Sequence, residues 1–504
     1  MTIAELLRGF RNRFAGVKKI KRLRGPLERE IKGIAYDSRA VKNGFLFVAV
    51  KGFSVDGHTY IKDAISRGAV GVVVEKAVEF QNDTTFIEVE DSREALAFLS
   101  TAFYGEPSRD LFLIGITGTN GKTTTSYIIK NVLEAWGKRV GLLGTIHYIT
   151  GKEILTAPHT TPESLDLQRY LSEMVDNNIE YAVIEVSSHA LALKRVDGSS
   201  FKIGMFTNFS QDHLDFHGTM QEYFAAKSRL FNYIKKDGYA VLNWDDPMVR
   251  SLTGKLNCNL ITCGLKEGAM IRAENITDNR LKITEHRPIL SEVEGLSFEV
   301  QTPEDRFVVS SGLVGRNNLY NILMSVGVAY AIGINKDVII KGVKEVEPVE
   351  GRFEKIDEGQ GFLCIVDYAH TEDALRNLIQ EARLITKAGV ITVFGCGGDR
   401  DKTKRPKMGT VATELSDFVI FTSDNPRTEE PMEIIKDITN DIRKNNYMVE
   451  PDRARAIEKA VSMAKTGDTL LVAGKGHEDY QEIKGVRYPF SDKEVLRKAI
   501  QNSK

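Results

Sequence analysis

The stretch LFLIGITGTNGKTTT, residues 111–125, decides how the chain reads. Its first half is a short continuous apolar run of the kind that forms a buried parallel strand. Its second half is a glycine-rich turn that enters a helix, predicted from about Lys122 to Trp136. Such a turn points backbone N–H groups at one spot, and the helix N-terminus adds partial positive charge there. The spelling departs from the common phosphate loop G-x-x-x-x-G-K-[ST]. Five residues before Gly121 stands Ile116, and the glycines are Gly115, Gly118 and Gly121. The chemistry survives the change. Gly118, Thr119, Asn120 and Gly121 make the cradle, Lys122 faces the outer phosphates of ATP, and Thr123 or Thr124 brings a hydroxyl to Mg²⁺. A glycine-rich turn with an ordinary helix start is the structural alternative.

Working outward, RVGLLGT (139–145), YAVIEVSS (181–188), KIGMFTNF (202–209) and GYAVLNW (238–244) read as further strands, with helical stretches between most of them. That alternation implies a parallel sheet covered on both faces. Upstream lie strand-like FLFVAV (45–50), a helix around 58–68 and strand-like AVGVVVE (69–75), closed by the linker YGEPSRD (104–110). Near VEPVEGRFEK (346–355) the pattern restarts, with strands at FLCIVDY (362–368), GVITVFG (389–395), DFVIFTS (417–423) and DTLLVAG (468–474). This third block is Rossmann-like. No G-x-G-x-x-G follows its first strand, so dinucleotide binding is not supported. The expected architecture is α/β with three domains. A mixed α/β domain at 1–108 and a Rossmann-like domain at 346–504 flank a central P-loop domain at 109–345.

A chain of 504 residues is long enough for several cores. With 68 basic and 69 acidic residues the net charge is −1, which argues against a general attraction to nucleic acid. The basic stretch at 8–25 reads as a solvated or amphipathic helix, not a signal peptide. No apolar run is long enough to span a membrane. Cys258, Cys263, Cys364 and Cys396 form no C-x-x-C pair, which points to a reducing, cytoplasmic setting.

Two segments add candidate chemistry. Glu185 is a carboxylate inside an apolar run at the end of a predicted strand. Burying it unpaired is costly, so it is expected to face a cation, either Mg²⁺ or a lysine or arginine. In TNFSQDHLDFHGT (207–219), Asp212, His213, Asp215 and His217 lie within six residues. Their spacing fits no zinc template. A hard-metal site with His213 as a nitrogen ligand is the expectation, and helix capping by Asp212 or Asp215 is the alternative.

In combination and in order, GTNGKTTT, EVSSHAL (185–191), NFSQDHLDFHGT (208–219) and YFAAKSRLF (223–231) resemble the Mur ligases of bacterial cell-wall synthesis. So do GRNNLYNILMSVGVA (315–329), VEGRFEK (349–355) and VDYAHTEDAL (366–375). The resemblance runs from about residue 33 to 490; folylpolyglutamate synthases share part of it. It implies that ATP phosphorylates a substrate carboxylate and that an amine then attacks the acyl phosphate. It gives Lys227 the place of a lysine that is carbamylated in this family, which supplies an anionic oxygen for Mg²⁺. The resulting metal set is Thr124, Glu185, His213 and carbamylated Lys227, with Lys122, Lys227 and His213 as catalytic residues. Asn318, Asn321, Arg352 and Asp367 are implied on ATP.

The segment YDSRAVKNGFLFVAVKGFSVDGHTY (36–60) is similar to the first domain of the family branch that adds meso-2,6-diaminopimelate. The resemblance assigns Tyr36, Ser38, Phe53, Ser54 and Val55 to a UDP-precursor, UDP-N-acetylmuramoyl-L-alanyl-D-glutamate. It assigns His159, Thr160, Thr161, Ser187, Leu193 and Arg195 to the same ligand. His159 and Leu193 stand where some relatives carry asparagine or another polar residue. GGDRDKTKRP (397–406), SDNPRTEEP (423–431) and GKGHED (474–479) imply a diaminopimelate site of Arg400, Asp424, Asn425, Pro426, Arg427, Gly474 and Glu478. Arginines suit its far carboxylate, and Glu478 its far ammonium. A monomer is expected. The alternatives are a family member that adds L-lysine, or a P-loop NTPase with no amide product.

Overall fold

The computed structural model describes residues 1–13, 20–52, 55–76, 83–279, 283–284, 287–288 and 295–503. The apolar run of the opening stretch becomes the strand Phe112–Thr117, deep in an eleven-stranded sheet. Parallel neighbours are Tyr181–Glu185 on one side and Phe201–Phe206 on the other. The chain leaves Phe112–Thr117 through helix Lys122–Ala135 to reach Val140–Leu143, two places away. It returns to Tyr181–Glu185 and then crosses to Phe201–Phe206. Phe112–Thr117 therefore marks the point where the winding reverses, and ligands gather at the carboxyl ends of strands there.

The parallel part extends through Ile234–Asn243, Asn259–Gly264 and Ile271–Asn279. Strands Gly295–Gln301 and Arg306–Ser311 then add antiparallel at the edge. These last strands were not expected. Gly295–Gln301 largely alternates buried and half-buried positions, so it carries no continuous apolar run.

Two smaller sheets flank this one. The first orders Ile20–Arg24, Thr85–Val89, Ala69–Val74, Phe45–Val48 and Gly33–Ala35, with only the first pair antiparallel. Part of the basic N-terminal stretch is thus a strand, since Ile20–Arg24 pairs with Thr85–Val89; the helix Ile3–Arg13 precedes it. The other sheet orders Glu354–Ile356, Leu363–Asp367, Thr469–Ala473, Val390–Phe394, Phe418–Phe421 and Tyr447–Val449. It is parallel apart from Glu354–Ile356. Within the described residues no helix is long and apolar enough to cross a membrane. The architecture is α/β with three domains, each on its own sheet.

Candidate active site

The loop after Phe112–Thr117 is held by conformations only glycine tolerates well. Gly118 has φ 144°, and a Cβ there would sit 1.9 Å from Thr207 Oγ1. Thr207 Oγ1 donates to the Asn120 carbonyl at 2.6 Å, and the Asn120 N–H donates to Asn208 Oδ1 at 2.9 Å. The loop thus rests on the segment following the neighbouring strand. Lys122 Nζ donates to the carbonyls of Gly118 and Thr119 at 2.9 and 3.0 Å. Burial lowers its pKa, with Glu185 opposing.

Glu185 is fully buried at the end of its strand. Its oxygens accept from Thr123 Oγ1 at 3.0 Å and from the amide and hydroxyl of Thr145 at 3.0 and 2.9 Å. These partners are neutral, so the arginine or lysine partner allowed by the sequence is not what satisfies it. The hydroxyl that meets Glu185 belongs to Thr123, whereas Thr124 was the metal-side residue expected. The first residue after the lysine in the helix faces the strand ends, and Thr124, one residue on, lies about 100° around the helix.

Lys227 is 2% exposed on helix Met220–Ser228. Its Nζ donates to the Gly118 carbonyl at 2.7 Å and lies 4.6 Å from the Tyr223 ring centroid. Burial, and then Lys122, push its pKa well below that of an ordinary lysine. His213, at φ 54°, stacks edge-on with His189 at 4.7 Å and points Nε2 at Asp212 Oδ2, 3.2 Å away. Burial keeps His213 neutral well below the usual imidazole range. Among the described residues no three His, Cys, Asp or Glu side chains gather as a ready metal cage.

The third domain closes over this loop. Arg352 Nη2 donates to Thr123 Oγ1 at 3.2 Å, and the guanidinium lies over the Tyr368 ring at 4.6 Å. Asp367 accepts from the Phe353 and Ala369 amides at 2.6 and 2.7 Å. It therefore shapes the turn that carries Arg352. Asn120 Nδ2 meets Asp373 Oδ2 at 3.0 Å, and Lys404 Nζ meets buried Asp212 at 3.2 Å. Asn321 accepts from Thr125 at 3.2 Å and donates to Asn318 at 3.0 Å. The loop, Asn318, Asn321, Arg352 and Asp367 all line one cavity of about 470 Å³.

A second cavity of about 1080 Å³ adjoins it, and both are walled by Thr145, Thr160, Ser187, His213, Tyr368 and His370. The second cavity holds His159, Thr160, Thr161, Ser187, Leu193 and Arg195 on one side. Arg400, Asp424, Asn425, Arg427, Gly474 and Glu478 stand on the other. Arg195 is fixed by the Thr161 carbonyl at 3.0 Å and by Glu163 at 3.3 Å. Arg427, at φ 50°, donates to the Gly398 carbonyl at 2.6 Å. Burial and Asp424 raise the Glu478 pKa. Pro426 shapes the turn without lining the cavity; a Cβ on Gly398 would meet its carbonyl oxygen at 1.9 Å. Tyr36, Ser38 and Val55 line neither cavity. Tyr36 Oη donates to Asp166 at 2.8 Å, Ser38 is buried and Val55 is exposed. Phe53 and Ser54 lie outside the described residues. Sequence reasoning did not single out Lys404, Asp373 or Thr145, because their contacts come from distant parts of the chain.

Three family descriptions match the chain in order. They are the Mur ligase family catalytic domain at 30–104, the Mur ligase middle domain at 116–329 and the Mur ligase glutamate ligase domain at 351–476. Among curated relatives, the UDP-N-acetylmuramoyl-L-alanyl-D-glutamate–2,6-diaminopimelate ligase of Solibacter usitatus is 44% identical over 94% of both chains. The ligase of the same name from Caldanaerobacter subterraneus is 41% identical over the full length of both. A solved structure bearing that enzyme name aligns with TM-score 0.64 at 30% identity, covering 96% of this chain and 99% of its own. The ADP complex of the MurF ligase from Thermotoga maritima, 21% identical, aligns with TM-score 0.64 over 94% of this chain and 98% of its own, which shows a shared fold. With all three domains matched in sequence and near-complete coverage by relatives above 40% identity, the chain belongs to the Mur ligase family.

Proposed function

We propose that this chain joins meso-2,6-diaminopimelate to the D-glutamate γ-carboxylate of UDP-N-acetylmuramoyl-L-alanyl-D-glutamate, at the expense of ATP, in peptidoglycan synthesis. The observation that carries this reading is the pair of adjoining cavities. One is built around the phosphate loop; the other has the precursor-side residues facing the arginine- and carboxylate-bearing third domain. A reacting carboxylate at the shared wall reaches both.

The reaction proceeds in two steps. The γ-carboxylate attacks the γ-phosphorus of ATP, giving ADP and an acyl phosphate. The neutral amine of diaminopimelate then attacks the acyl carbon, and orthophosphate leaves with the former carboxylate oxygen. Gly118 to Lys122 hold the β- and γ-phosphates, and Arg352 brings a second cation to the loop only when the third domain is docked. Closure also keeps water from the acyl phosphate. Asn318 and Asn321 face the rest of the nucleotide.

Glu185 fits a hard cation, because it is fully buried and its partners are two hydroxyls and an amide. Glu185, the Thr123 hydroxyl, neutral His213 and a carbamate on Lys227 would hold Mg²⁺, which when bound offsets the charge on the phosphates. A lysine with its pKa pushed down presents the free amine that reacts with CO₂. Tyr36, Ser38 and the 53–55 segment would take the UDP end, away from the reacting atoms.

For the amino acid, Arg427 and Arg400 supply guanidinium groups for the far carboxylate and Glu478 takes the far ammonium. L-lysine would leave an arginine unpaired. Mass-resolved product analysis with ATP, the dipeptide precursor and each amino acid tests the assignment. Formation of the diaminopimelate tripeptide with one orthophosphate per bond is expected. A preference for L-lysine, or ATP hydrolysis without an amide, would overturn it.

A further inference from the structure

Behind the wall of the larger cavity lies a lysine with no part in the chemistry derived so far. Lys475 is completely buried, directly after the strand Thr469–Ala473 and Gly474. It does not line the cavity, but Glu478 and Asn425 do. Its Nζ lies 3.1 Å from Asn425 Oδ1 and 3.1 Å from Glu478 Oε2. Asn425 Oδ1 also accepts from the Glu482 amide at 2.9 Å. Two donors on Oδ1 fix the orientation of this amide, so its Nδ2 must face Glu478, which it reaches at 2.8 Å. Both bonds to Glu478 land on Oε2. Among the described residues no hydrogen bond reaches Oε1.

We infer that Lys475 is a positioning residue for amino-acid selection. It locks the Asn425 amide and one oxygen of Glu478, and it leaves the other oxygen turned to the cavity for the second ammonium of the incoming amino acid. The inference rests on the diaminopimelate reading above. A buried cation suits this task. Glu478 sits beside a second carboxylate, Asp424, which is 8% exposed and accepts from the backbone N–H of Asn425 at 2.6 Å. Without Lys475, burial and the Asp424 charge would act on Glu478 with its ion-pair partner gone, and Glu478 would favour its neutral acid form. A neutral acid grips an ammonium poorly. The spacing also explains why Lys475 and Glu478 act together: three residues apart, their side chains close an i,i+3 ion pair.

The test compares meso-diaminopimelate with 2-aminopimelate, which keeps both carboxylates and the reacting amine but lacks the second amine. KM for each is measured in the wild type, in Lys475→Met, in Glu478→Gln and in the double variant, with ATP and precursor saturating. Wild type is expected to favour diaminopimelate. Lys475→Met should raise its KM about tenfold or more, while KM for 2-aminopimelate, ATP and precursor stays within about twofold. The double variant should discriminate no worse than Glu478→Gln alone, because the lysine acts through that carboxylate. Equal losses for both amino acids, or additive losses in the double variant, would mark Lys475 as a fold-supporting residue and overturn the inference. Equal wild-type KM values for the two amino acids would overturn the ammonium role of Glu478 itself, and the inference with it. Lys475→Gln keeps a donor without the charge and gives the same readout should the methionine variant not fold.

Discussion

Lys122 and Lys227 donate to one acceptor, the carbonyl of Gly118, at 2.9 and 2.7 Å. Two ammonium groups on one oxygen repel, and burial adds to the cost of charging the deeper one. Burial first, and Lys122 second, hold the Lys227 pKa well below 10.5. The folded chain therefore binds fewer protons here than the unfolded chain, so this group's contribution to stability improves as pH rises from its folded pKa toward 10.5. Lys227→Met is expected to cut turnover by about a hundredfold or more and to leave thermal stability at pH 7 equal to or above that of the wild type. The stability advantage should shrink by pH 9.5. Thermal unfolding at both pH values, beside steady-state turnover, checks this. A clear loss of stability at pH 7 would mean that the lysine supports the fold.

Asp212 joins the central domain to the third through Lys404 and His370. Although burial alone would raise its pKa, Lys404, His213 and His370 hold the carboxyl well below 3.8. Lys404, itself 6% exposed, comes from the third domain, so this is a buried ion pair across the closed face. Removing one partner of such a pair costs about 3–5 kcal/mol. In Lys404→Met that cost can be relieved by separating the domains, which returns Asp212 to water. The expected outcome is a fall in kcat with an expanded shape in small-angle scattering, and little change in the unfolding of the other two domains. An unchanged scattering profile with normal kcat would show that closure does not depend on this pair. For Asp212 the sign is the carboxylate one: its stabilisation is present above about pH 4 and lost as pH falls below it.

The parallel strands were legible because both faces are covered, which forces continuous apolar runs such as Phe112–Thr117 and Leu363–Asp367. Gly295–Gln301 and Arg306–Ser311 were not, since their burial is interrupted along the strand. The glycine-rich loop could be read from the order of apolar strand, glycine turn, Lys-Thr-Thr and helix. The choice between Thr123 and Thr124 could not, because it depends on which side of the first helical turn meets Glu185. Glu185 stands out in the sequence as a carboxylate in an apolar run, yet its hydrogen-bond partners come from the loop at Thr145 and the first helical turn at Thr123. Lys404 and Lys475 read as ordinary charged residues until tertiary contacts bury them.

Three histidines that line the larger cavity, and His217 packed against one of them, should make the enzyme acid-sensitive. Burial lowers the pKa of His189 and His217 to about 4 and that of His477 to about 3, and pushes His213 well below 6.5. In each case the unfolded chain takes up protons first as pH falls. Their destabilisation therefore begins below about pH 6.5 and grows until the folded groups titrate. Chemical denaturation at pH 7.5, 6.0 and 5.0 should show a falling unfolding free energy, and His477→Gln should flatten the slope. A slope unchanged by that substitution would remove His477 from the explanation. In the same range the amine of the incoming amino acid becomes more fully protonated, so kcat/KM for it should fall independently of folding.

An ion pair with both side chains fully buried lies in the third domain, lining neither cavity. Arg453 and Asp492 are 2% and 0% exposed and meet through two bonds of 2.7 Å. The guanidinium also donates to the carbonyls of Ser423 and Ala473, at 3.3 and 2.9 Å. Those carbonyls directly precede Asp424 and Gly474, where the two loops proposed to take the amino acid begin. The pair thus ties helix Arg453–Met463 and helix Asp492–Asn502 to the ends of two strands whose loops face the larger cavity. Arg453→Met would leave Asp492 buried and unpaired and two carbonyls without a donor, at a cost of about 3–5 kcal/mol. Asp492→Asn should cost less, because an amide oxygen can still accept from the guanidinium. Both variants should raise KM for diaminopimelate more than KM for ATP, since the phosphate loop belongs to a different sheet. Thermal unfolding with substrate-resolved KM values separates the two effects. Equal increases for both substrates would show that the pair sets domain docking and not the geometry of the amino-acid loops.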